Sequence, residues 1–332
     1  MPLLGNLDPF EPAPLLYLIL TCPVKLLLQN AYRILTFVRT SPTPLDHPIR
    51  IVCISDTHSL TTDVPPGDIL IHAGDLTNDG SIPSIQEQIN WLASLPHKHK
   101  IAISGNHDTY FDPRTRPSLP EADREGRLEW NGIHYLQHSS ITLNISTPST
   151  TSSEPSSLAK TREICVYGAP QIPACGSFTT NAFQYPRGLD AWSETIPSNT
   201  DVLVTHTPPK HHLDLPLPSG MGCEHLYDEV KRVKPLLHVF GHVHWGAGQT
   251  VCWWDECEDA YARGMQRPLG WTKGLLDWKL WREGIRVVVY GIRGLLWDKV
   301  WGGQRRNTRL VNAAQMHGNT GKLGKRVEVV DI

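Results

Sequence analysis

Five short runs of the chain combine aspartate, histidine and asparagine at spacings that could bind metal ions. In chain order they are Ser55-Asp56-Thr57-His58, His72-Ala73-Gly74-Asp75, Ser104-Gly105-Asn106-His107-Asp108, Val204-Thr205-His206 and Gly241-His242-Val243-His244. Carboxylate, carboxamide and imidazole groups suit hard divalent cations, whereas cysteine, absent from all five runs, would select softer metals. These residue types therefore indicate a site for divalent metal ions.

Each run follows a short apolar or β-branched segment of strand length. The predicted strands are residues 49–54, 69–71, 100–103, 201–204 and 236–240. Side chains alternate along a strand with period two, so Asp56 and His58 point the same way, as do His242 and His244. We expect the five strand ends to meet at one edge, where Asp75 could bridge two ions about 3.5–4 Å apart that share an acidified water. Glycine precedes three candidate ligands, as a backbone turning closely around a site requires: Gly74, Gly105 and Gly241.

The rest of residues 47–332 alternates between predicted strand and helix. Residues 81–95 place apolar side chains at helical spacing, and further strands are predicted at 163–167 and 326–330. This alternation predicts an α/β architecture in one domain. Residues 144–162, rich in Ser and Thr, predict a flexible loop within it.

Two apolar segments stand apart from this pattern. Residues 1–46 form an N-terminal segment in which 15–38 is apolar, with helical spacing after Pro23, and a linker then leads to the domain. Residues 250–308 form a Trp-rich insertion of two or more predicted helices, in a region that holds eight of the eleven tryptophans between Trp245 and Trp301. For the first segment, packing on the domain's own surface is favoured over contact with a membrane or partner. For the insertion, a bilayer interface and packing against the N-terminal helix are equally weighted.

Composition excludes some classes of partner. The chain has 332 residues and a formal net charge of −2, so no overall electrostatic attraction to nucleic acid is expected. Seven cysteines at irregular spacing do not form a disulfide framework and suit a reducing compartment. Because the first residues lack the positive charge of a secretory signal, we expect a cytoplasmic protein, with peripheral membrane association through 15–38 and the Trp-rich insertion as an open alternative.

In their order and spacing the five runs resemble the signature of the calcineurin-like metallophosphoesterase superfamily. The blocks are D-x-H, G-D, G-N-H-[DE], H and G-H-x-H, and they cover about residues 49–246. The detail is similar to the metallophosphoesterase-domain-containing branch related to the fetal brain protein. The resemblance implies two mixed β-sheets packed as a sandwich and flanked by helices, with the site on loops at the strand ends.

The resemblance also implies roles for single residues. One metal would be held by Asp56, His58, Asp75 and His244, and the second by Asp75, Asn106, His206 and His242. The ions expected are Mn²⁺ first, with Fe or Zn²⁺ as alternatives. His107 would be the catalytic residue beside the phosphate, and Asn106, His107 and His212 would contact the substrate, a small phosphoester.

The implied activity is dinuclear phosphodiester hydrolysis, with cyclic nucleotides as one substrate class and a metal-bridging hydroxide as nucleophile. Phosphomonoesterase or nucleotide pyrophosphatase activity on the same site is the alternative, and a metal- or nucleotide-binding scaffold with little turnover is another. Asn78 stands where the protein phosphatase branch has the aspartate that orients the catalytic histidine, which weakens that interpretation. Thr207 and His211 replace glycines of the family's substrate loop.

Overall fold

The strands of the protein form two large mixed sheets and one small pair. The computed structural model describes residues 11–44, 47–147, 160–215, 217, 220–270, 272–303 and 306–332. Within that part of the chain the strands are β1 Arg50–Ile54, β2 Ile69–Ala73, β3 His99–Ile103, β4 His134–Tyr135, β5 Ser139–Thr147, β6 Lys160–Ala169, β7 Ile172–Pro173, β8 Gln184–Tyr185, β9 Val202–Thr205, β10 Leu237–Phe240, β11 Gly248–Trp253, β12 Asn307–Asn312 and β13 Glu328–Asp331.

The strand order places parallel strands at the middle of both large sheets. The first sheet has the order β13-β1-β2-β3-β4, and the second β11-β12-β10-β9-β6-β5. Strands β1 to β4 are parallel, as are β6, β9, β10 and β12, whereas β13, β11 and β5 pair antiparallel at the edges. Every residue of β2, β9 and β10 is buried, as is usual for parallel strands covered on both faces.

The main hydrophobic core lies between the two sheets, which pack face to face as the predicted sandwich. Ile51, Ile71 and Ile103 from the first sheet share one buried cluster with Val204 and Val239 from the second. Helices cover the outer faces. The described helices are α1 Leu15–Thr21, α2 Pro23–Phe37, α3 Ile82–Ser94, α4 Glu121–Arg124, α5 Glu224–Val233, α6 Glu256–Gln266 and α7 Trp278–Lys299.

Helices α1, α2, α6 and α7 form a separate layer, here called the helical layer. Leu28 and Tyr32 of α2 share a buried cluster with Tyr261 of α6 and Val287 of α7. Arg39, just after α2, forms two buried ion pairs. One joins it to Asp255 at the start of α6 at 2.6 Å, and the other joins it to Asp298 of α7 at 2.6 Å. The predicted N-terminal helix therefore packs against the predicted Trp-rich insertion.

Several predicted boundaries differ from the structure. The loop predicted at 144–162 is shorter, because residues 144–147 belong to β5 and 160–162 to β6, which pair as a hairpin. Its remaining residues, 148–159, lie outside the described part of the chain, as do 45–46 of the predicted linker. The predicted insertion 250–308 begins and ends in strands β11 and β12, and its helices are α6 and α7. The β-branched residues at its centre lie within α7, in line with the predicted helices.

Candidate metal centre

The candidate metal ligands meet at the edge where parallel strands of both sheets end. Asp56 follows β1, Asp75 follows β2 and Asn106 follows β3, whereas His206 follows β9 and His242 follows β10. Asp56, Asp75 and His242 have positive φ angles of 54°, 51° and 65°, so the chain bends sharply just after each strand. This bend turns side chains of both sheets toward one point.

The three predicted glycines are required by close approach. A β-carbon on Gly105 would overlap the Asp75 carboxylate, and one on Gly241 would overlap the Asp56 carboxylate. A β-carbon on Gly74, at φ +99°, would lie 2.6 Å from His206 Nδ1. The prediction that the backbone turns closely around the site is confirmed.

One group of possible ligands consists of Asp56, His58 and His244. His244 Nε2 lies 3.3 Å from Asp56 Oδ1, and the His244 Nδ1–H donates to the carbonyl of Gly318 at 2.7 Å. Both ring nitrogens of His58 are buried without a hydrogen-bond partner in the described structure. A buried unpaired imidazole is costly, and a bound cation would satisfy it.

A second group consists of Asp75, Asn106, His206 and His242. His206 Nε2 lies 3.3 Å from Asp75 Oδ2 and 3.1 Å from Asn106 Oδ1, while its Nδ1–H donates to the carbonyl of Ala73 at 2.8 Å. The Nε2 atom of His242 is buried without a partner among the described residues. This donor set of oxygen and imidazole nitrogen suits a divalent ion.

Asp75 lies between the two groups. Its Oδ2 atom is 3.3 Å from His206 Nε2 and 3.7 Å from His58 Nε2, and its Oδ1 atom accepts the backbone N–H of His107 at 2.8 Å. One carboxylate thus faces the histidines of both groups. The residues fit a pair of cations that share it.

The protonation pattern reflects this crowding of acids and imidazoles. Burial alone would lower the pKa of His206, but the adjacent Asp75 carboxylate raises it to about 9. Burial lowers the pKa of His242 to about 3 and also lowers that of His58. For Asp56 burial acts to raise the pKa, and the hydrogen bond from His244 outweighs it, so the pKa is lowered. The acids are therefore ionised, and His242 is neutral with a free lone pair.

His107 and Asp108 have different roles in the loop after β3. The His107 ring is partly exposed beside the cluster, and its Nδ1–H donates to the backbone carbonyl of Asn78 at 3.2 Å. Asp108 is fully buried and accepts from the N–H groups of Gly105, Leu76 and Thr77. Asp108 therefore ties this loop to the loop after β2.

A cleft of about 200 Å³ opens onto the cluster. Besides Asp75, Asn106, His107, His242 and His244, it is lined by residues that the sequence did not single out: Cys175, Asn181, Met221, Val243, Trp245 and Asn319. Trp245 directly follows His244, the last predicted ligand. This position in the chain is the one local signal that could have identified Trp245 as a lining residue. Asp214 orders the Met221 loop by accepting the N–H groups of Met221 and Gly222 at 2.7 and 2.9 Å.

His212, predicted to contact the substrate, is not brought to this cleft. Its ring is buried, bonds Glu258 through Nε2 at 3.0 Å and stacks on Tyr227. It lines a separate, larger cleft of about 660 Å³ between α2 and β11, which contains none of the other predicted site residues. His212 therefore anchors its loop to the helical layer.

Comparison with known proteins decides the family. A model of the calcineurin-like phosphoesterase family matches residues 49–246, which contain all the clustered residues. This chain belongs to the calcineurin-like phosphoesterase family. The match includes the site strands of both sheets and none of the helices of the helical layer.

Individual relatives of this family member cover different parts of the chain. Metallophosphoesterase domain-containing protein 1 of Homo sapiens is 36% identical over 236 residues, 62% of this chain and 65% of that protein. A UPF0046 protein of Caenorhabditis elegans is 38% identical over 230 residues, 63% of this chain and 75% of that protein. Probable rhamnogalacturonate lyase C of Emericella nidulans is 37% identical over 289 residues, 86% of this chain and 25% of that protein.

The chain thus spans only a quarter of the Emericella protein and 65% of the human one. Among solved structures, TT1561 of Thermus thermophilus aligns with a TM-score of 0.36 and 14% identity, over 62% of this chain and 84% of that one. The family typically binds divalent metals, and the clustered side chains form candidate ligand groups for them.

Proposed function

We propose that the chain is a dinuclear metal-dependent phosphodiesterase. The observation that carries the proposal is the position of Asp75 between two sets of buried, partly unpaired histidines. Asp56, His58, Asp75 and His244 would hold one ion, and Asp75, Asn106, His206 and His242 the other. When bound, two divalent ions supply Lewis-acid charge for the phosphoryl oxygens and a nucleophile from water at neutral pH.

The chain's own residues would position the substrate and move a proton. His107 stands at the mouth of the cluster, where the Asn78 carbonyl orients its ring and leaves Nε2 to face the cleft. Its role would be to donate a proton to the departing alkoxide oxygen. Asn106 would orient the phosphoryl group from the floor of the cleft.

The lining of the cleft favours a diester over a monoester. The described residues that line it include no Arg or Lys, so this lining offers no lysine or arginine for the second negative charge of a monoester. Met221, Val243 and Trp245 add an apolar surface that suits the second organic group of a diester. A nucleobase could stack on Trp245, which makes cyclic nucleotides a substrate class to test.

The test is a substrate panel with defined metal content. The full chain is stripped of metal, reloaded with Mn²⁺, Fe²⁺ or Zn²⁺, and assayed with bis-p-nitrophenyl phosphate, p-nitrophenyl phosphate, cyclic nucleotides and a dinucleotide pyrophosphate. Two bound ions and preferential diester cleavage support the proposal. Preferential cleavage of the monoester or pyrophosphate would point to the alternative hydrolases, and bound metal without turnover would point to a scaffold.

A matched pair of variants tests the role of Asp75 between the two groups of histidines. Asp75→Asn should lose the metal pair and nearly all turnover, because the amide cannot bridge two cations. Asp63→Asn, which changes an exposed carboxylate in the loop between β1 and β2, should retain both. Equal activity in the two variants would refute the role given to Asp75.

A further inference from the structure

The outer face of α2 and α7 carries an unusual amount of exposed apolar surface. On α2, Ile34 is 64% exposed and Phe37 is 89% exposed. On α7, Trp278, Ile285 and Val289 are 63%, 64% and 54% exposed. We call this surface, with the exposed leucines of α1 beside it, the outer face. Soluble monomers rarely expose apolar side chains over so continuous a patch, and such patches mark interaction sites.

Helices α2 and α7 both pack against α6 and against each other. The inner sides of α2 and α7 are both occupied by α6: Tyr32 stacks on Tyr261 at 4.0 Å between ring centroids, and Glu283 pairs with Arg263 at 3.1 Å. The two helices also touch each other, since Gly291 of α7 packs against Leu35 of α2. The exposed residues of α7 therefore lie on the side away from α6, beside α2, whose Ile34 and Phe37 line the cleft toward β11.

α7 extends this surface along its whole length. Its apolar exposed residues recur at helical spacing from Trp278 to Leu296, opposite the buried stripe that includes Leu280 and Val287. A helix of 22 residues is about 33 Å long. The helix is thus apolar on two sides, and only one of them packs inside the protein.

The charges on the outer face are of one sign. The only acidic residues of α7, Glu283 and Asp298, are both buried, whereas Lys279 and Lys299 are exposed and the exposed Arg282 pairs with Glu283 at 3.2 Å. Residues 12–45, which include α1 and α2, contain no Asp or Glu at all. Since the whole chain has a net charge of −2, this local excess of cations is a property of the surface.

Tryptophan and cations are interleaved on it. Trp278 lies 5.3 Å from the guanidinium carbon of Arg282 and 5.9 Å from Lys279 Nζ, measured from its ring centroid. Aromatic rings with lysine or arginine beside them are enriched where one side of a structure meets acyl chains and the other meets headgroups.

From this juxtaposition of apolar, tryptophan and cationic side chains, we propose that the outer face docks on an anionic lipid bilayer. The helices lie in the plane of the interface, the apolar side chains enter the acyl boundary, and the cations meet anionic headgroups. No single described helix is both long and apolar enough to cross a bilayer, and α1 with α2 meets that test only as a pair bent by 117°. A second copy of the chain fits less well, because α7 exposes Lys279 and Lys299 but no carboxylate of its own that could pair with them across an interface.

The experiment is vesicle flotation of the full chain. Wild type should float with vesicles of phosphatidylcholine containing phosphatidylserine and should bind pure phosphatidylcholine at least tenfold more weakly. Raising the salt concentration should weaken the electrostatic part of the binding. In the same samples, phospholipids brominated in the acyl chain should quench part of the tryptophan fluorescence.

Variants separate the apolar and cationic contributions. Ile285→Glu with Ile292→Glu should reduce vesicle binding at least tenfold, while Leu189→Glu, at an exposed leucine outside the helical layer, should bind as wild type. Lys279→Gln with Lys299→Gln should lower binding to anionic vesicles by about fivefold per removed cation, with little change on neutral ones. Unchanged thermal melting of each variant shows that the fold is kept.

The outcomes are distinct. Failure of wild type to float with anionic vesicles, absence of quenching by brominated lipid, or wild-type binding by the Ile285→Glu/Ile292→Glu variant would each overturn the proposal. A wild-type dimer that this double variant converts to monomers, without vesicle binding, would overturn it in favour of a second copy. None of these measurements depends on phosphoesterase activity.

Discussion

Backbone carbonyls orient two histidines of the centre. His206 donates through Nδ1 to Ala73, and His244 donates through Nδ1 to Gly318. Each hydrogen bond fixes the ring so that Nε2 faces the carboxylates, as for histidines that bind metal. The Gly318 acceptor lies 74 residues beyond His244 and in no recognisable motif, so the sequence offered no means of finding it.

His107 provides a prediction that separates proton transfer from metal binding. His107→Gln should lower kcat by about 10²–10⁴-fold while leaving metal content unchanged. The loss should be larger for an alkyl leaving group than for p-nitrophenolate, which departs without a proton. His134→Gln, at an exposed histidine in β4, serves as the control. Equal losses for both leaving groups would contradict the role of His107 as a proton donor.

Gly105 provides a steric prediction. Because a β-carbon there would overlap the Asp75 carboxylate, Gly105→Ala should displace Asp75 and weaken metal binding, and with it the proposed activity. Gly284→Ala, in α7 with no neighbour within 4 Å, should retain both and gain about 0.5–1 kcal/mol of stability from helix propensity. Metal analysis and urea unfolding measure the two effects. Full metal content in Gly105→Ala would show that the loop can move aside.

Protons compete with metal ions for the same atoms. In the metal-free protein, burial acts to lower the pKa of His206 but Asp75 raises it to about 9, so its ring is protonated at pH 7. Since the pKa values of Asp56 and Asp75 are lowered, the acids do not compete. Metal affinity should therefore rise with pH up to about 9 and level off above it. Titration calorimetry at pH 7 in buffers of different ionisation enthalpy should show proton release, and equal heats in all buffers would contradict this.

Among the secondary-structure elements, the helical layer depends on one buried arginine. Arg39 bonds Asp255 at the start of α6 and Asp298 near the end of α7, and all three side chains are buried. Arg39→Met would leave two buried carboxylates unpaired and should destabilise the protein by about 3–5 kcal/mol. Arg33→Met, at an exposed arginine of α2, should change stability by less than about 0.5 kcal/mol. Urea unfolding of both variants would decide, and equal stability would show that the acids find other partners.

How much of the secondary structure and packing the sequence could predict depended on how far apart the interacting residues lie in the chain. An apolar strand followed by Asp or His is a local pattern, so all five strand ends and the helix after Ser81 were predictable. The placement of His212 was not, because its ring bonds Glu258, 46 residues further on. The hairpin of β5 and β6 was hidden by Ser and Thr residues, which favour loops by composition but fit an edge strand well.

For the whole molecule, the phosphoesterase sandwich and the helical layer differ in how far the sequence determined them. The sandwich follows from strand-end motifs and a family resemblance that covers residues 49–246. The helical layer joins segments from both ends of the chain, and its Arg39–Asp298 pair spans 259 residues. Apolar residues at helical spacing predicted its helices but not which face would be buried, because α7 is apolar on both sides.

The shared core of the helical layer leads to a prediction about the N-terminal segment. A chain beginning at residue 47 would lack Tyr32, which stacks on Tyr261 and donates to the buried Glu258 carboxylate, and Arg39, which neutralises Asp255 and Asp298. It would expose the apolar side of α6 and leave three buried acids short of partners. We expect a melting temperature lower by about 10 °C or more, together with aggregation. Calorimetry and light scattering against the full chain measure both, and an equally stable, monomeric and active shortened chain would show that α1 and α2 are an appendage to the phosphoesterase domain.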